Sequence, residues 1–170
     1  MDLKSFIRDI PDFPKPGIIF KDVTPLLKNP EAFKGSIAEL KKAASEWNFD
    51  IIVAPEARGF IFAAPLALEM NKGFVPIRKP GKLPYKTISK SYSLEYGNAT
   101  LEMHIDAIEK GSRVLILDDV LATGGTIKAI AEMIEEAGGE VVGIITIIEL
   151  SFLEPRKKLD KYRVEALIKY

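Results

Sequence analysis

The chain has 170 residues, of which 47% are hydrophobic and 28% are charged, a balance typical of a single packed domain over residues 1–170. Lys and Arg number 24, as do Asp and Glu, so nothing favours nucleic-acid binding as the main role, and the lack of cysteine excludes disulfides and thiolate metal sites. The N-terminus has no signal-peptide apolar region and the longest apolar run is too short to span a bilayer, so we expect a soluble, cytoplasmic protein without a membrane partner.

The first half of the chain predicts alternating helices and strands after an irregular, Pro-rich N-terminal segment. Asn29 and Pro30 are typical of a helix start and predict a helix that runs to about residue 47. The apolar run 49–55 predicts a short buried strand, and residues 58–71 predict a helix that tolerates an internal proline. Residues 73–79 predict the next strand.

Residues 78–106 interrupt this alternation. Their first part carries turn-forming residues and positive charge, and residues 90–105 predict two extended arms that turn at Gly97 and Asn98. A long excursion from a compact sheet is often a lid or a binding loop. We therefore expect a flexible lid hairpin in this part of the chain.

The second half returns to strands and helices. Residues 113–119 and 138–150 predict two strands, and apolar residues at helical spacing after Gly125 predict a helix between them. The basic segment 154–163 is predicted to be a solvated helix. The whole pattern predicts an α/β fold with an open, mostly parallel, twisted sheet flanked by helices.

The stretch VLILDDVLATGGT, residues 114–126, combines a strand end, two acids and a Gly-containing turn before a helix. The backbone N–H groups of such a turn face the positive end of the helix dipole, which suits a terminal phosphate. The chain lacks the Walker lysine and the G-x-G-x-x-G pattern, which argues against a triphosphate or a dinucleotide. The predicted phosphate-binding residues are Ala122, Thr123, Gly124, Gly125 and Thr126.

Asp118 and Asp119 end the strand, at the edge where open α/β sheets bind ligands. Carboxylates beside a phosphate site make chemical sense if they accept hydrogen bonds from ribose hydroxyls and help to hold a hydrated Mg²⁺. The plainer alternative is a helix-start turn with two solvated acids.

These residues resemble the phosphoribosyl-diphosphate (PRPP) signature of the type I phosphoribosyltransferase family. The segments PDFPKPGIIFKDVTPLL, APEARGFIFAAPLA, IRKPGKLP and SYSLEYG are similar to its adenine-specific members and follow the same order, from about Ile10 to the C-terminus. LPYKT departs from the Gly-Pro-Thr-like sequence of many members. The resemblance implies a hood over about residues 1–30, a lid over about 78–106, Mg²⁺ as cofactor and a homodimer.

The resemblance also implies a reaction, the transfer of phosphoribosyl from PRPP to N9 of adenine, which gives AMP and diphosphate in purine salvage. Arg58 and Glu95 are then the catalytic residues, Arg58 at the leaving group and Glu95 as acid/base at the base. Ile19 and Lys21 bind adenine through their backbone while Phe20 stacks on it. Diphosphate binding falls to a larger group, part of which reaches across the dimer interface: Glu56, Ala57, Arg58, Arg78, Lys79 and Lys82.

Three alternatives stay open at this point. A phosphoribosyltransferase for another base would share the fold, although GIIFKD and SLEYG argue against it. A non-catalytic, PRPP-sensing regulator would keep the phosphate turn but would need a DNA-binding domain or a basic face. A purely structural α/β domain would leave the clustered motifs unexplained.

Overall fold

The computed structural model describes residues 1–94 and 96–170. The strands in chain order are β1 (Arg8–Pro11), β2 (Ile19–Asp22), β3 (Ile51–Pro55), β4 (Gly73–Ile77), β5 (Thr87–Ser93), β6 (Asn98–His104), β7 (Arg113–Leu121), β8 (Glu140–Glu149) and β9 (Val164–Lys169). The α-helices are α1 (Thr24–Lys28), α2 (Pro30–Ala44), α3 (Arg58–Met70) and α4 (Gly125–Glu136). Short 3-10 helices cover Leu3–Phe6, Ser151–Leu153 and Pro155–Lys157.

The centre of the molecule is a five-stranded sheet in the order β4-β3-β7-β8-β9, and every neighbouring pair in it is parallel. Parallel sheets have to be covered on both faces, which explains why β7 and β8 are nearly continuous apolar runs. Leu115, Ile116 and Leu117 of β7 are fully buried although they alternate between the two faces. The predicted open parallel sheet is confirmed.

The helices cover the sheet from opposite sides. Leu40 of α2 and Phe62 of α3 belong to the hydrophobic cluster on one face. Ile130 of α4 belongs to the cluster on the other face, together with Met103 of β6. None of the helices in the described part of the chain has the length and apolar character needed to cross a bilayer.

The predicted start of α2 is confirmed in detail. The side chain of Asn29 accepts a hydrogen bond from the N–H of Ala32 at 3.0 Å, and Pro30 occupies the first helical position, where a missing N–H costs nothing. The internal proline of α3 does not end that helix, which continues to Met70.

Two predictions of secondary structure are wrong. The basic segment 154–163 forms a short 3-10 helix and turns, and not a continuous helix, and the chain then adds β9 as a fifth strand at the edge of the sheet. The N-terminal segment is also more regular than expected, because β1 and β2 form an antiparallel hairpin. Its many prolines had favoured an irregular structure in the sequence interpretation.

The predicted excursion contains the antiparallel pair of β5 and β6, with Ser93 opposite Asn98 at its end. Leu101 and Met103 of β6 are buried against the central sheet, whereas Leu94 and Tyr96 near the turn are exposed. The base of the hairpin is therefore part of the hydrophobic core, and only its tip extends into solvent.

Candidate active site

A cavity of about 550 Å³ opens where β3 and β7 end. It lies at the carboxyl edge of the parallel sheet, the usual position for ligand sites in such folds. The cavity is lined by residues from distant parts of the chain, namely Ile18, Ile19, Phe20, Lys21, Pro55, Glu56, Ala57, Arg58, Lys79, Tyr92, Leu101, Asp118, Asp119, Val120, Ala122, Thr126, Leu150 and Leu153. Most of the residues that the sequence predicts for the site therefore line this one cavity.

The turn over residues 122–126 encloses a second, smaller cavity of about 90 Å³ that shares residues with the first. Gly124 has a φ of +92°, and a Cβ added there would lie 3.0 Å from the carbonyl oxygen of Pro155. Both observations require glycine at this position. α4 begins at Gly125, so the backbone N–H groups of the turn lie at its positive end, as predicted for a phosphate site.

The two acids have different surroundings. Asp118 is half-buried, and its Oδ1 accepts the backbone N–H of Asp119 at 2.8 Å. Burial, and then the neighbouring charge of Asp119, raises the pKa of Asp118 well above its ordinary value. Asp119 is 4% exposed, and its Oδ2 accepts a hydrogen bond from Nε of Arg58. Hydroxyl donors or a cation entering the cavity would relieve this concentration of negative charge.

The loop between β3 and α3 carries Glu56, Ala57 and Arg58, and its Glu56–Ala57 peptide bond is cis. The Glu56 carboxylate accepts the N–H of Lys79 at 2.8 Å and Nε of Arg78 at 3.1 Å. The hydrogen bond from Lys79, aided by that from Arg78, lowers the pKa of Glu56 despite its partial burial. Glu56 thus ties the loop to the start of the excursion, while Ala57 and Arg58 face the cavity.

The edge of β2 that faces away from β1 has free backbone groups. Opposite residues in an antiparallel pair alternate between those that exchange N–H···O bonds and those that do not. Pro11 lies opposite Ile19 and has no N–H, so this pair is of the second kind. The carbonyl of Ile19 and, two residues on, the N–H of Lys21 therefore point away from β1. They can bind a ligand in the cavity that both residues line.

Aromatic and charged neighbours fix the side chains of this strand. The Phe20 ring packs edge-on against Phe13 with the ring centroids 5.3 Å apart, and the Arg58 guanidinium lies 5.3 Å from the Phe20 centroid. The ammonium of Lys21 is 2.7 Å from Asp9 and 4.0 Å from the centre of the Tyr170 ring. The side chain of Lys21 is thus engaged elsewhere, which leaves its backbone as the part that meets the cavity.

Several predicted residues lie outside the main cavity. Thr123 and Gly124 line the smaller cavity, Gly125 lines a neighbouring groove, and Arg78 pairs with Glu56 behind the loop. Lys82 is exposed in a turn and does not line the cavity of its own chain. Glu95, the predicted acid/base, lies outside the described residues.

The sequence interpretation missed three features of the site. Tyr92 of β5 lines the cavity and its hydroxyl is 2.9 Å from that of Thr126. Leu150 and Leu153 form an apolar wall after β8. Gly59 lets α3 approach closely, because an added Cβ would lie 3.0 Å from Oδ1 of Asp118. Of these residues, only Gly59 could have been suspected from the sequence, because it follows the predicted site residue Arg58. The other contacts depend on the tertiary fold.

Comparison with known proteins gives a consistent result. A family model described as phosphoribosyl transferase domain matches residues 22–168. The adenine phosphoribosyltransferase of Kosmotoga olearia is 72% identical over the full length of both chains. The crystal structure of the Thermoanaerobacter pseudethanolicus enzyme is 57% identical, has a TM-score of 0.97 and is matched over 99% of this chain and 98% of that one.

A more distant structure carries ligands. The Saccharomyces cerevisiae adenine phosphoribosyltransferase is 40% identical, has a TM-score of 0.89 and is matched over 96% of this chain and 94% of that one. It was solved with adenine and an imino-altritol bisphosphate. With identities this high over nearly complete chains, this protein belongs to the phosphoribosyltransferase family and, within it, to the adenine phosphoribosyltransferases.

Proposed function

We propose that this enzyme transfers the phosphoribosyl group of PRPP to N9 of adenine and releases AMP and diphosphate, as in purine salvage. The observation that carries the proposal is the order of groups around the cavity. The phosphate turn adjoins Asp118 and Asp119, these adjoin Arg58, and the free edge of β2 lies across from them. This order follows PRPP from its 5′-phosphate through ribose to diphosphate, with the base beside C1′.

The phosphate turn and the two acids hold PRPP before the reaction. The N–H groups of residues 122–126 and the positive end of α4 bind the 5′-phosphate. Asp118 and Asp119 accept hydrogen bonds from the ribose hydroxyls, and the new donors stabilise the ionised form of Asp118. These interactions exist in the ground state, so they act mainly on PRPP affinity.

The site fits Mg²⁺ that arrives with PRPP. Among the described residues no cluster of three or more His, Cys, Asp or Glu side chains could hold a metal alone. Asp118 and Asp119 supply two adjacent carboxylates, and Mg²⁺ commonly takes its other ligands from water and substrate oxygens. When bound, the ion would neutralise charge that develops on the departing diphosphate.

Arg58 is the main side chain for the leaving group in this proposal. Its Nε donates a hydrogen bond to Asp119, so the two terminal amino groups of the guanidinium can bind diphosphate oxygens. Lys79 lines the same cavity and adds a second positive charge. Charge that grows on diphosphate as the bond to C1′ breaks is stabilised by both cations.

Adenine is selected by the backbone of β2. The Ile19 carbonyl accepts from the 6-amino group and the Lys21 N–H donates to N1, while Phe20 stacks on the ring. Hypoxanthine presents an oxygen and an N–H at these two positions and would leave polar groups unpaired, at a cost of about 1–3 kcal/mol each. Backbone groups cannot rotate to accommodate the wrong base.

Glu95 supplies acid/base assistance at the base. The proposal rests on the family resemblance of SLEYG and on the place of Glu95 in the sequence between β5 and β6. A carboxylate at N7–H favours the tautomer with a free lone pair at N9 and takes the proton as positive charge builds on the base. Such assistance is typically worth about 10²–10⁴-fold in rate.

A homodimer completes the diphosphate site. Lys82 is exposed and does not line the cavity of its own chain, so a diphosphate site shared with a second copy would give it a role. Leu68 on α3 is 84% exposed and lines a groove with Phe33 and Pro65, which offers an apolar surface for such a partner. Light scattering of the purified chain tests the dimer, and a monomer at micromolar concentration would contradict it.

The reaction is tested by incubating the enzyme with PRPP, Mg²⁺ and each common purine or pyrimidine base. We expect rapid nucleotide formation with adenine alone. If hypoxanthine or guanine came within about tenfold of adenine in kcat/KM, about 1.4 kcal/mol, recognition by the backbone of β2 would be wrong. Formation of no nucleotide from any base would refute the proposed reaction.

A further inference from the structure

Tyr92 connects the lid hairpin to the phosphate turn. Its hydroxyl lies 2.9 Å from the Thr126 hydroxyl, and the contact is partly buried. Its ring also lies beside the turn, since a Cβ added to Gly125 would be 3.8 Å from Tyr92 Cδ2. The backbone N–H groups of the turn can bind an anion without this contact. Phosphate binding alone therefore does not explain why Tyr92 bonds to Thr126.

The bond is one of a row of contacts between β5 and α4. Side chains two residues apart share a face of a strand, which places Ile88, Lys90 and Tyr92 together. Ile88 packs against the hydrophobic cluster that contains α4. Lys90 pairs with two acids of α4, Glu132 at 3.3 Å and Glu136. This face of β5 is docked on α4, and Tyr92 is its last contact before the exposed tip.

The two hydroxyls can form a directional relay once a phosphate is bound. A hydroxyl has one proton to donate and two lone pairs to accept with. When Thr126 donates to a phosphate oxygen, it must accept from Tyr92, and hydrogen bonds in such a chain strengthen one another. Without phosphate either hydroxyl can be the donor. Anion binding therefore fixes the direction of the Tyr92 bond and strengthens it.

We infer that Tyr92 is a positioning residue that couples occupation of the 5′-phosphate site to the docking of the lid hairpin on α4. The inference rests on the proposed function, because it requires the turn to bind the 5′-phosphate of PRPP. Binding of PRPP then stabilises the arm that leads to Glu95. A substrate without a 5′-phosphate would leave the arm less firmly docked.

The test compares Tyr92→Phe with the wild-type enzyme, using ribose 5-phosphate and diphosphate with Mg²⁺ as separate probes in titration calorimetry. Phenylalanine keeps the ring and removes only the hydroxyl. We expect affinity for ribose 5-phosphate to fall by about three- to tenfold, the usual worth of one hydrogen bond. Affinity for diphosphate should stay within about twofold, because diphosphate does not contact the phosphate turn.

Hydrogen exchange provides a readout that general destabilisation would not reproduce. Ribose 5-phosphate should slow exchange of the β5 amides in the wild-type enzyme and not in Tyr92→Phe. Ser91→Ala is the matched control, because it also removes a hydroxyl from β5. The Ser91 hydroxyl lies 2.8 Å from that of Thr100 in the same hairpin, and Ser91 is on the opposite face of the strand from Tyr92. This control should keep both the affinity and the slowing of exchange.

A double-variant comparison isolates the pair. In a Thr126→Val background, Tyr92→Phe should cause no further loss of ribose 5-phosphate affinity, because the partner hydroxyl is already gone. Equal binding of ribose 5-phosphate by Tyr92→Phe and wild type would overturn the inference. So would an equal weakening of both probes, which would indicate a structural role. Failure of the wild-type enzyme to bind ribose 5-phosphate would instead count against the proposed function.

Discussion

Replacing Gly59 by alanine should impair use of PRPP, because the new methyl group would meet Asp118, the acid that we propose binds ribose. A Cβ on Gly59 would lie 3.0 Å from Oδ1 of Asp118 and 3.3 Å from Cδ of Pro55. The same Oδ1 accepts the Asp119 N–H at 2.8 Å, so the carboxylate cannot retreat without lengthening that bond. The expected result is a displaced Asp118 in a protein that still folds.

The magnitude follows from two opposing effects. Extra volume at a packed position typically costs about 1–3 kcal/mol, whereas alanine in place of glycine in a helix contributes up to about 1 kcal/mol. We therefore expect the free energy of unfolding to fall by about 0–3 kcal/mol. Because a misplacement of 1 Å can cost about 10²-fold in rate, a shift of a few tenths of an ångström should lower kcat/KM for PRPP by about tenfold.

Gly35→Ala is the control, since Gly35 also lies in a helix but has room for a methyl group. Its nearest neighbours would be Leu3 Cδ2 at 3.7 Å and Met1 Sδ at 3.9 Å, which are ordinary contacts. This variant should gain about 0.5–1 kcal/mol in stability and keep full activity. Urea unfolding and steady-state kinetics at saturating adenine measure both quantities. If Gly59→Ala behaved like Gly35→Ala, the close approach of α3 to Asp118 would not constrain the site.

Three further predictions follow from the site. The pKa of Asp118 is raised in the folded state, so its ionisation destabilises the free protein as pH rises above the ordinary pKa of 3.8. Asp118→Asn should therefore raise the thermal midpoint at pH 7, lose this gain near pH 3.5 and raise the KM for PRPP. An unchanged midpoint at pH 7 would contradict this. Glu95→Gln should lower kcat by about 10²-fold without changing PRPP affinity in a direct titration, and full activity would leave Glu95 no role in proton transfer. Hydrogen exchange without ligand should be fast at Leu94 and Tyr96 near the tip and slow around Leu101 and Met103. PRPP with a base analogue should slow it at the tip, and strong protection of the tip in both states would exclude a gate.

The site contains both residues that sequence reasoning could find and residues that it could not. The turn over residues 122–126 is a local arrangement of strand, glycines and helix, so its suitability for a phosphate could be predicted from about a dozen residues. The roles predicted for Ile19, Phe20, Lys21 and Arg58 came from resemblance, and they stay predictions for experiment. The structure adds that Pro11 leaves the outer edge of β2 free, a consequence of hairpin register that no single segment displays.

The sequence by itself determined the α/β class, the start of α2 and the glycine turn before α4, because caps, helical spacing and glycine turns act over a few neighbouring residues. Only the tertiary structure decided which segments meet. Arg58 and Asp119 are 61 residues apart in the chain, and Tyr92 and Thr126 are 34 apart, so both contacts depend on strand order and packing. β9 was missed for the same reason, since its short segment is stable as a strand only through its pairing with β8 at the edge of the sheet.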